Sequence, residues 1–424
     1  MPAAWSISPA TWKRWASDVN QAARHYVIVT AAYFLFTLTD GAIRMLVLLH
    51  FHTLGYTPFA LATLFLLYET AGIFTNAIGG WLAVRFGIPR MLACGLGLQI
   101  AGLVMLSALD PGWTAAVSVA WVVAAQGLAG IAKDLTKTAS KSAIKATAQD
   151  GNAQLFRWVA WFTGSKNATK GAGFFAGGAL LQWVGFAPAL WLMAAMLVLV
   201  LGMVWIALPR ALGKAKASKS MRELFAKSPA VNLMAAARIF LFGARDVWFV
   251  VGLPVFLYAS GWSFTEVAGF LAAWTIGYGA VQAGAPSLVR RSTDGLSREV
   301  PEARRWGAAL ALIPLGLAAV LVGLAPARSD LVLAVGLCAF GVVFAVMSSL
   351  HSYLIMAYAG SEKAAEDVGF YYAANAAGRL LGIVLSGLLA GSGGMVACLT
   401  GSAVMLGLAW ALSLLLPLKT PATG

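Results

Sequence analysis

Apolar residues run along this chain in long stretches, and short polar interruptions divide them into twelve segments. These lie near 26–50, 58–83, 90–109, 114–136, 155–182, 187–208, 231–257, 264–287, 306–325, 330–357, 367–390 and 394–416. An α-helix needs about 20 apolar residues to cross a bilayer, and each segment supplies roughly that. The pattern predicts an all-α membrane protein with twelve transmembrane helices. Composition agrees: of 424 residues, 60% are hydrophobic and 11% charged, against about 25% charged in soluble domains.

The net charge of +14 is not a nucleic-acid footprint, because its distribution follows the membrane rather than a surface patch. With both termini in the cytoplasm, Arg85, Arg90, Lys141, Lys145, Arg210, Lys214, Lys216, Lys219, Arg222, Lys227, Arg290, Arg291, Arg298, Arg304 and Arg305 fall in inner loops, and Arg328 is the outer exception. Such an excess of inner Lys and Arg sets orientation. Residues 1–25 read as a polar cytoplasmic extension without a signal peptide, with Trp5, Trp12 and Trp15 suited to an interface. A basic linker, 209–230, divides the spans into bundles 26–208 and 231–416, and 417–424 form a tail.

Charges inside the apolar segments carry the chemistry. Arg44, Lys166, Lys170, Arg238, Arg245 and Arg379 interrupt spans, and Lys133 and Lys137 end another. A lone Lys or Arg at mid-bilayer costs roughly 2.5–3.5 kcal/mol on insertion scales. Asp40, Glu69 and Asp246 can compensate about three of them. The remainder predicts a wet, positively charged path for an anion. Asp40 and Arg44 are four apart, in the order that favours a pair. The span therefore holds either a self-neutralised pair or two groups opening to a cavity. Lys166 and Lys170 share a helix face with no acid in helical reach, beside Asn167. Arg238 and Arg245 are seven apart and face one way, and the single Asp246 cannot satisfy both. Lys133 and Lys137 suit a funnel that draws anions in. Glu69, alone in its span, is either a proton carrier or a partner for Arg44. His50, His52 and His351 are expected at span ends, and Cys94, Cys338 and Cys398 as small buried residues outside any disulfide or metal framework. No P-loop, GxSxG, HExxH or Cys/His metal spacing occurs, so neither an enzyme nor a cofactor is indicated.

The two halves echo each other. Asp40 and Asp246 are 206 positions apart, Gly55-Tyr56-Thr57 matches Gly261-Trp262-Ser263 at that offset, and Asn167 matches Asn375 at 208. Gly173-x-x-x-Gly177 is echoed by Gly378-x-x-x-Gly382, a spacing that lets helix backbones approach closely. Parallel six-helix repeats with a site between them resemble the major facilitator superfamily. The run from Gly80 to Arg90 is similar to that superfamily's loop signature, with Val84 where an Asp is usual, and Gly173 to Gly178 resembles the antiporter GPxxGG element without its proline.

Four stretches carry a narrower likeness: Thr37 to Met45, Gly130 to Lys145, Thr163 to Gly171 and Leu241 to Phe249. They resemble the ArsJ family of organoarsenical efflux permeases, from about Tyr26 to the last span. That resemblance implies a monomeric permease of the bacterial inner membrane that exports 1-arseno-3-phosphoglycerate. A glyceraldehyde-3-phosphate dehydrogenase would make this ester from arsenate, and its export would confer arsenate resistance. The charge pattern suits a small molecule with an oxyanion at each end: Arg44, Lys166 and Lys170 in one half, Arg238, Arg245 and Arg379 in the other.

Overall fold

The computed structural model describes residues 9–147, 152–209, 228–290, 292, 296–323, 329–358 and 364–418. Residues 1–8, with Trp5, most of the basic linker (210–227), Arg291, Arg328 and the tail from 419 lie outside them, and the Lys141 and Lys145 side chains are not described. Among the described residues all regular structure is helical. The order is α1 (Pro9–Thr53), α2 (Pro58–Thr63), α3 (Leu66–Phe86), α4 (Ile88–Ser107), α5 (Ala115–Thr147), α6 (Asn152–Trp183) and α7 (Phe186–Ala207). It continues with α8 (Pro229–Phe249), α9 (Gly252–Ala259), α10 (Phe264–Leu288), α11 (Glu299–Gly323), α12 (Ser329–Tyr358) and α13 (Ala364–Leu414).

Nine stretches of the described residues are helical, long and apolar enough to cross a membrane. One of them, within α13, contains non-helical Gly393 and Gly394, where two helices meet at a kink. Helices α6 and α10 have the length, 32 and 25 residues, but are less apolar; α6 carries Lys166, Asn167 and Lys170. Large apolar side chains point outward all over the surface, such as Leu199, Val322 and Ile206, the last 89% exposed. Outward-facing apolar side chains on such helices are what a lipid solvent requires. This is a multi-pass membrane protein.

Local chemistry sets the helix ends. Gly55 (φ 82°) and Gly261 (φ 96°) take the left-handed conformation just beyond α1 and α9, which glycine adopts without strain. Thr57 and Ser263 then cap α2 and α10, each accepting a backbone N–H with its side chain; Glu266 completes a capping box. The repeated Gly-aromatic-Thr/Ser triplet is thus a helix stop-and-start device used twice. The break between α8 and α9 leaves backbone donors that Ser386 satisfies, its Oγ accepting from Val251 N (3.3 Å) and Gly252 N (3.1 Å).

Both GxxxG pairs sit at close crossings. A Cβ added at Gly173 or Gly177 would run into the backbone of Leu38 and Ala42 on α1, and one at Gly378 or Gly382 into Ile239 and Gly243 on α8. The crossings therefore align Leu38 with Ile239 and Ala42 with Gly243, 201 positions apart. In that register Arg44 corresponds to Arg245, and Asp40 does not correspond to Asp246. Between these crossings and the loop triplets, which repeat at 206, the second half is interrupted at Val250–Val251, whereas α1 is continuous to Thr53.

Helices α1–α7 and α8–α13 meet most closely near the end of the bundle where α1 stops. Gly171 and Gly178 of α6 lie against Ala272, Ile276 and Phe264 of α10, and Gly387 of α13 against Pro58 and Phe59. Gln182 accepts from Thr265, and His52 meets the Tyr258 ring edge-on at 5.4 Å.

Candidate functional site

Deeper in the bundle, α1, α3, α5, α8 and α13 bring charged side chains together around Glu69. This carboxylate has no exposed surface. Its Oε1 accepts from Arg44 Nη2 at 2.9 Å and from Arg379 Nη2 at 2.5 Å, and Lys133 Nζ lies 3.9 Å from Oε2. Arg379 also reaches Asp246 Oδ2 through Nε at 3.3 Å, and Arg245 Nε donates to Asp246 Oδ1 at 2.6 Å. A chain of alternating charge thus runs Arg44–Glu69–Arg379–Asp246–Arg245 through helices from both parts of the chain. Aromatic faces hold the cations in place: Arg44 stands 5.2 Å from the Phe65 and Tyr68 ring centres, and Lys133 is 3.9 Å above Tyr68.

The pairing of Arg44 is with Glu69, across helices, and not with Asp40 one turn earlier. Arg44 turns toward α3, where the Phe65 and Tyr68 rings receive its guanidinium, while Asp40 Oδ1 accepts from the Tyr68 hydroxyl at 2.6 Å. Glu69 is therefore the shared counter-ion of three cations, although it is the sole charge of its span. Asp246 serves Arg245 and Arg379.

Arg238 occupies a separate pocket without any carboxylate among the described residues. It is 5% exposed. Its Nε donates to Asn375 Oδ1 (3.2 Å), its Nη1 to the Ser348 carbonyl (3.2 Å), and its guanidinium stacks 3.8 Å from the Phe242 centre and 4.6 Å from Tyr371. Arg245 uses the same Phe242 ring, at 5.2 Å, as expected for residues on one helix face. Lys170 forms no ion pair among the described residues; its Nζ lies 5.6 Å from the Phe174 ring. Asn167 donates to Gln282 Oε1 at 3.0 Å, and Gln282 in turn approaches Ser348. A polar thread so connects α6 to the Arg238 pocket through α10 and α12. Lys166 is half-buried on α6.

Lys137 is committed elsewhere. Its Nζ donates to Asn76 Oδ1 (2.6 Å) and Asp134 Oδ1 (2.9 Å), and Thr75 donates to the second Asp134 oxygen at 3.1 Å. Asp134 is the intramembrane acid that a sum over Asp40, Glu69 and Asp246 omits. The signal was present in the sequence, since Asp134 and Lys137 are three apart on a helix. Tyr68, Gln282, Ser348 and Tyr371 also enter the site, and nothing in their spacing announces them.

Two further expectations need correction. His351 lies near the end of the candidate span Ser329–Ile355 but is no interfacial residue: it is fully buried in α12, and neither ring nitrogen has a hydrogen-bond partner among the described residues. The helix extends seven residues beyond it, to Tyr358. His50 and His52 do lie in the last turn of α1, with His50 stacked on Phe186 at 4.0 Å. Cys94 and Cys338 are exposed on outward helix faces, and only Cys398 is buried; a thiol is apolar enough to face lipid.

Around the centre, Arg44, Lys133, Lys170, Arg238, Arg245 and Arg379 face Asp40, Glu69 and Asp246. The cations outnumber the acids, and two of them have neutral partners only. Taking charges out of water is costly unless each is paired. The arrangement can hold an anion, which would supply the missing negative charge.

Comparison with known proteins bears on what such a site serves. No curated protein matches the chain. The family model described as Major Facilitator Superfamily matches residues 29–301, well over half of the chain. With apolar helices that cross a membrane and a charged centre between them, this chain belongs to the Major Facilitator Superfamily of membrane transporters.

Proposed function

We propose that the chain exports 1-arseno-3-phosphoglycerate from the bacterial cytoplasm by alternating access, and so confers arsenate resistance. It crosses the inner membrane twelve times as two related six-helix bundles, 26–208 and 231–416, joined by the basic linker 209–230, with both termini in the cytoplasm. It acts as a monomer and depends on a glyceraldehyde-3-phosphate dehydrogenase to make its substrate. The observation that carries this reading is the surplus of cations in two places: Lys170, half-buried beside the Glu69 cluster, and Arg238, buried in its own aromatic pocket. A molecule with an oxyanion at each end can engage both. Arginine's planar fork suits the bidentate oxygens of phosphate and arsenate, and lysine acts as a point charge.

With the termini inside, the tight contacts between α6 and α10 and between α2 and α13 form the outer seal. Release requires that seal to part, while the cross-bundle Arg379–Glu69 pair is remade on the return. Substrate oxygens that compete for Arg379 would loosen this pair, coupling occupancy to movement.

The test is uptake by everted vesicles. Arsenate with the dehydrogenase and its substrates should be accumulated; arsenate alone and phosphate alone should not. Lys166→Ala and Arg245→Ala should each abolish arsenate resistance in cells that still insert the protein. Full resistance in both variants would remove these residues from the site. A second reading, a general organophosphate/phosphate exchanger, is favoured by the thiol-free site with its excess of cations over acids, which contains nothing particular to arsenic. Equal competition by 3-phosphoglycerate in the vesicle assay would select it.

A further inference from the structure

Buried polar atoms rarely go without a hydrogen-bond partner. Beside Arg238, two side chains hold atoms that do. His351 has no exposed surface, and neither Nδ1 nor Nε2 has a partner among the described residues. Tyr371 is 1% exposed, and its hydroxyl is likewise unpartnered there. Arg238 engages Asn375 through Nε and Ser348 through Nη1, while its Nη2 donates to no described residue.

Helix geometry puts these groups together. His351 and Ser352 follow Ser348 by three and four positions on α12 and so share a face with it. That face meets Arg238 through the Ser348 carbonyl and hydroxyl, and the guanidinium acts electrostatically on His351. From α13, the Tyr371 ring lies 4.6 Å from the same guanidinium. The Ser352 hydroxyl is near Tyr371, but it donates to the Ser348 carbonyl at 2.9 Å instead.

A cation with one arm of its fork unused is therefore ringed by uncharged groups. Buried without a carboxylate partner, the His351 ring is neutral, with one N–H donor and one bare acceptor nitrogen. A deprotonated oxyanion cannot satisfy such a ring, because its oxygens accept and never donate. A hydroxyl does both.

We propose that His351 reads a hydroxyl carried next to the oxyanion that Arg238 binds, so that this pocket selects hydroxylated organic anions. The Nη2 arm and the Tyr371 hydroxyl donate to the oxyanion. The bare imidazole nitrogen accepts from the ligand hydroxyl, and the ring N–H donates to a ligand oxygen. This deepens the export reading above and rests on it: the three-carbon ester proposed there has a hydroxyl on its middle carbon, and its other oxyanion end is left to Lys170. Inorganic phosphate has no hydroxyl on carbon and is the poorer ligand here.

The test compares binding of 3-phosphoglycerate with that of 3-phosphooxypropionate, the same molecule without the hydroxyl, to the full chain in lipid nanodiscs. A site built around a hydroxyl rejects the analogue that lacks it, so the wild type should bind 3-phosphoglycerate about tenfold or more tightly. In His351→Phe the two affinities should converge, through a loss for 3-phosphoglycerate alone. Its melting temperature should hold or rise, because an apolar ring removes the unpaired nitrogens. A residue that only supports the fold would instead lower the melting temperature and leave the ratio of affinities unchanged. Tyr371→Phe should weaken both ligands and keep the ratio. Equal binding of the two ligands by the wild type, or an undiminished ratio in His351→Phe, overturns the proposal. If His351→Phe does not fold, His351→Leu is read in the same way. Vesicles that fail to export while the ratios behave as expected remove the transport reading and leave the pocket. Successful export with an undiminished ratio in His351→Phe removes the pocket alone.

Discussion

Arg379 on α13 and Glu69 on α3, 310 positions apart in the chain, meet with Nη2 2.5 Å from Oε1 at a carboxylate with no exposed surface. This pair joins helices from the two parts of the chain at the centre of the charge network, and its partners make the two residues unequal. Glu69→Gln strands Arg44, which pairs with no other carboxylate among the described residues, whereas Arg379→Ala leaves Glu69 with Arg44 and Lys133. Losing one member of a buried pair costs roughly 3–5 kcal/mol. Glu69→Gln should fall in that range by thermal unfolding in detergent and Arg379→Ala below it. The double variant should cost less than the sum; strict additivity would show that the pair contributes no coupling.

Lys170→Ala should separate binding from stability. No carboxylate among the described residues loses an ion-pair partner when Lys170 goes, and a repulsion with the neighbouring cations is relieved. The variant should therefore melt at or above the wild-type temperature while binding 3-phosphoglycerate about tenfold or more weakly, a loss of roughly 1.4 kcal/mol. Unchanged affinity would exclude Lys170 from the anion site.

Ser386→Ala tests the break between α8 and α9. It leaves the Val251 and Gly252 N–H groups without their acceptor in a buried place. An unsatisfied buried donor costs roughly 1–3 kcal/mol, so chemical unfolding should show a loss in that range. Hydrogen exchange should rise at Val251 and Gly252 first. A neutral substitution would mean that water replaces the serine.

Gly378→Leu tests the α8–α13 crossing. A Cβ there would lie 2.8 Å from Ile239 Cα, a backbone atom that cannot turn aside. Overpacking of this kind costs about 1–3 kcal/mol or more, and yield after extraction should drop sharply. Gly97→Ala is the control: its Cβ meets nothing within 4 Å on α4. There the better helix propensity of alanine should raise stability by roughly 0.5–1 kcal/mol.

What the sequence determined by itself is what short-range chemistry decides. Apolar runs specify helices in a membrane, and the triplets at Gly55 and Gly261 specify where two of them turn, because left-handed glycine and a hydroxyl cap act within a few residues. The spacing of Gly173 and Gly177, and of Gly378 and Gly382, marks faces able to touch another backbone, and both do. The excess of intramembrane cations was likewise countable. Only the tertiary structure decided who faces whom. Arg44 had an acid one turn away and took another on α3; Lys137, placed to attract anions, is engaged by Asp134 and Asn76; His351 is sealed in the interior. The register between the halves was also decided in the fold, since the helix crossings match α1 to α8 at 201 positions, with a helix break at Val250–Val251 before the triplets that repeat at 206. Charges choose partners by distance through space, and the distances between helices are set by packing over the whole bundle, which no local spacing encodes.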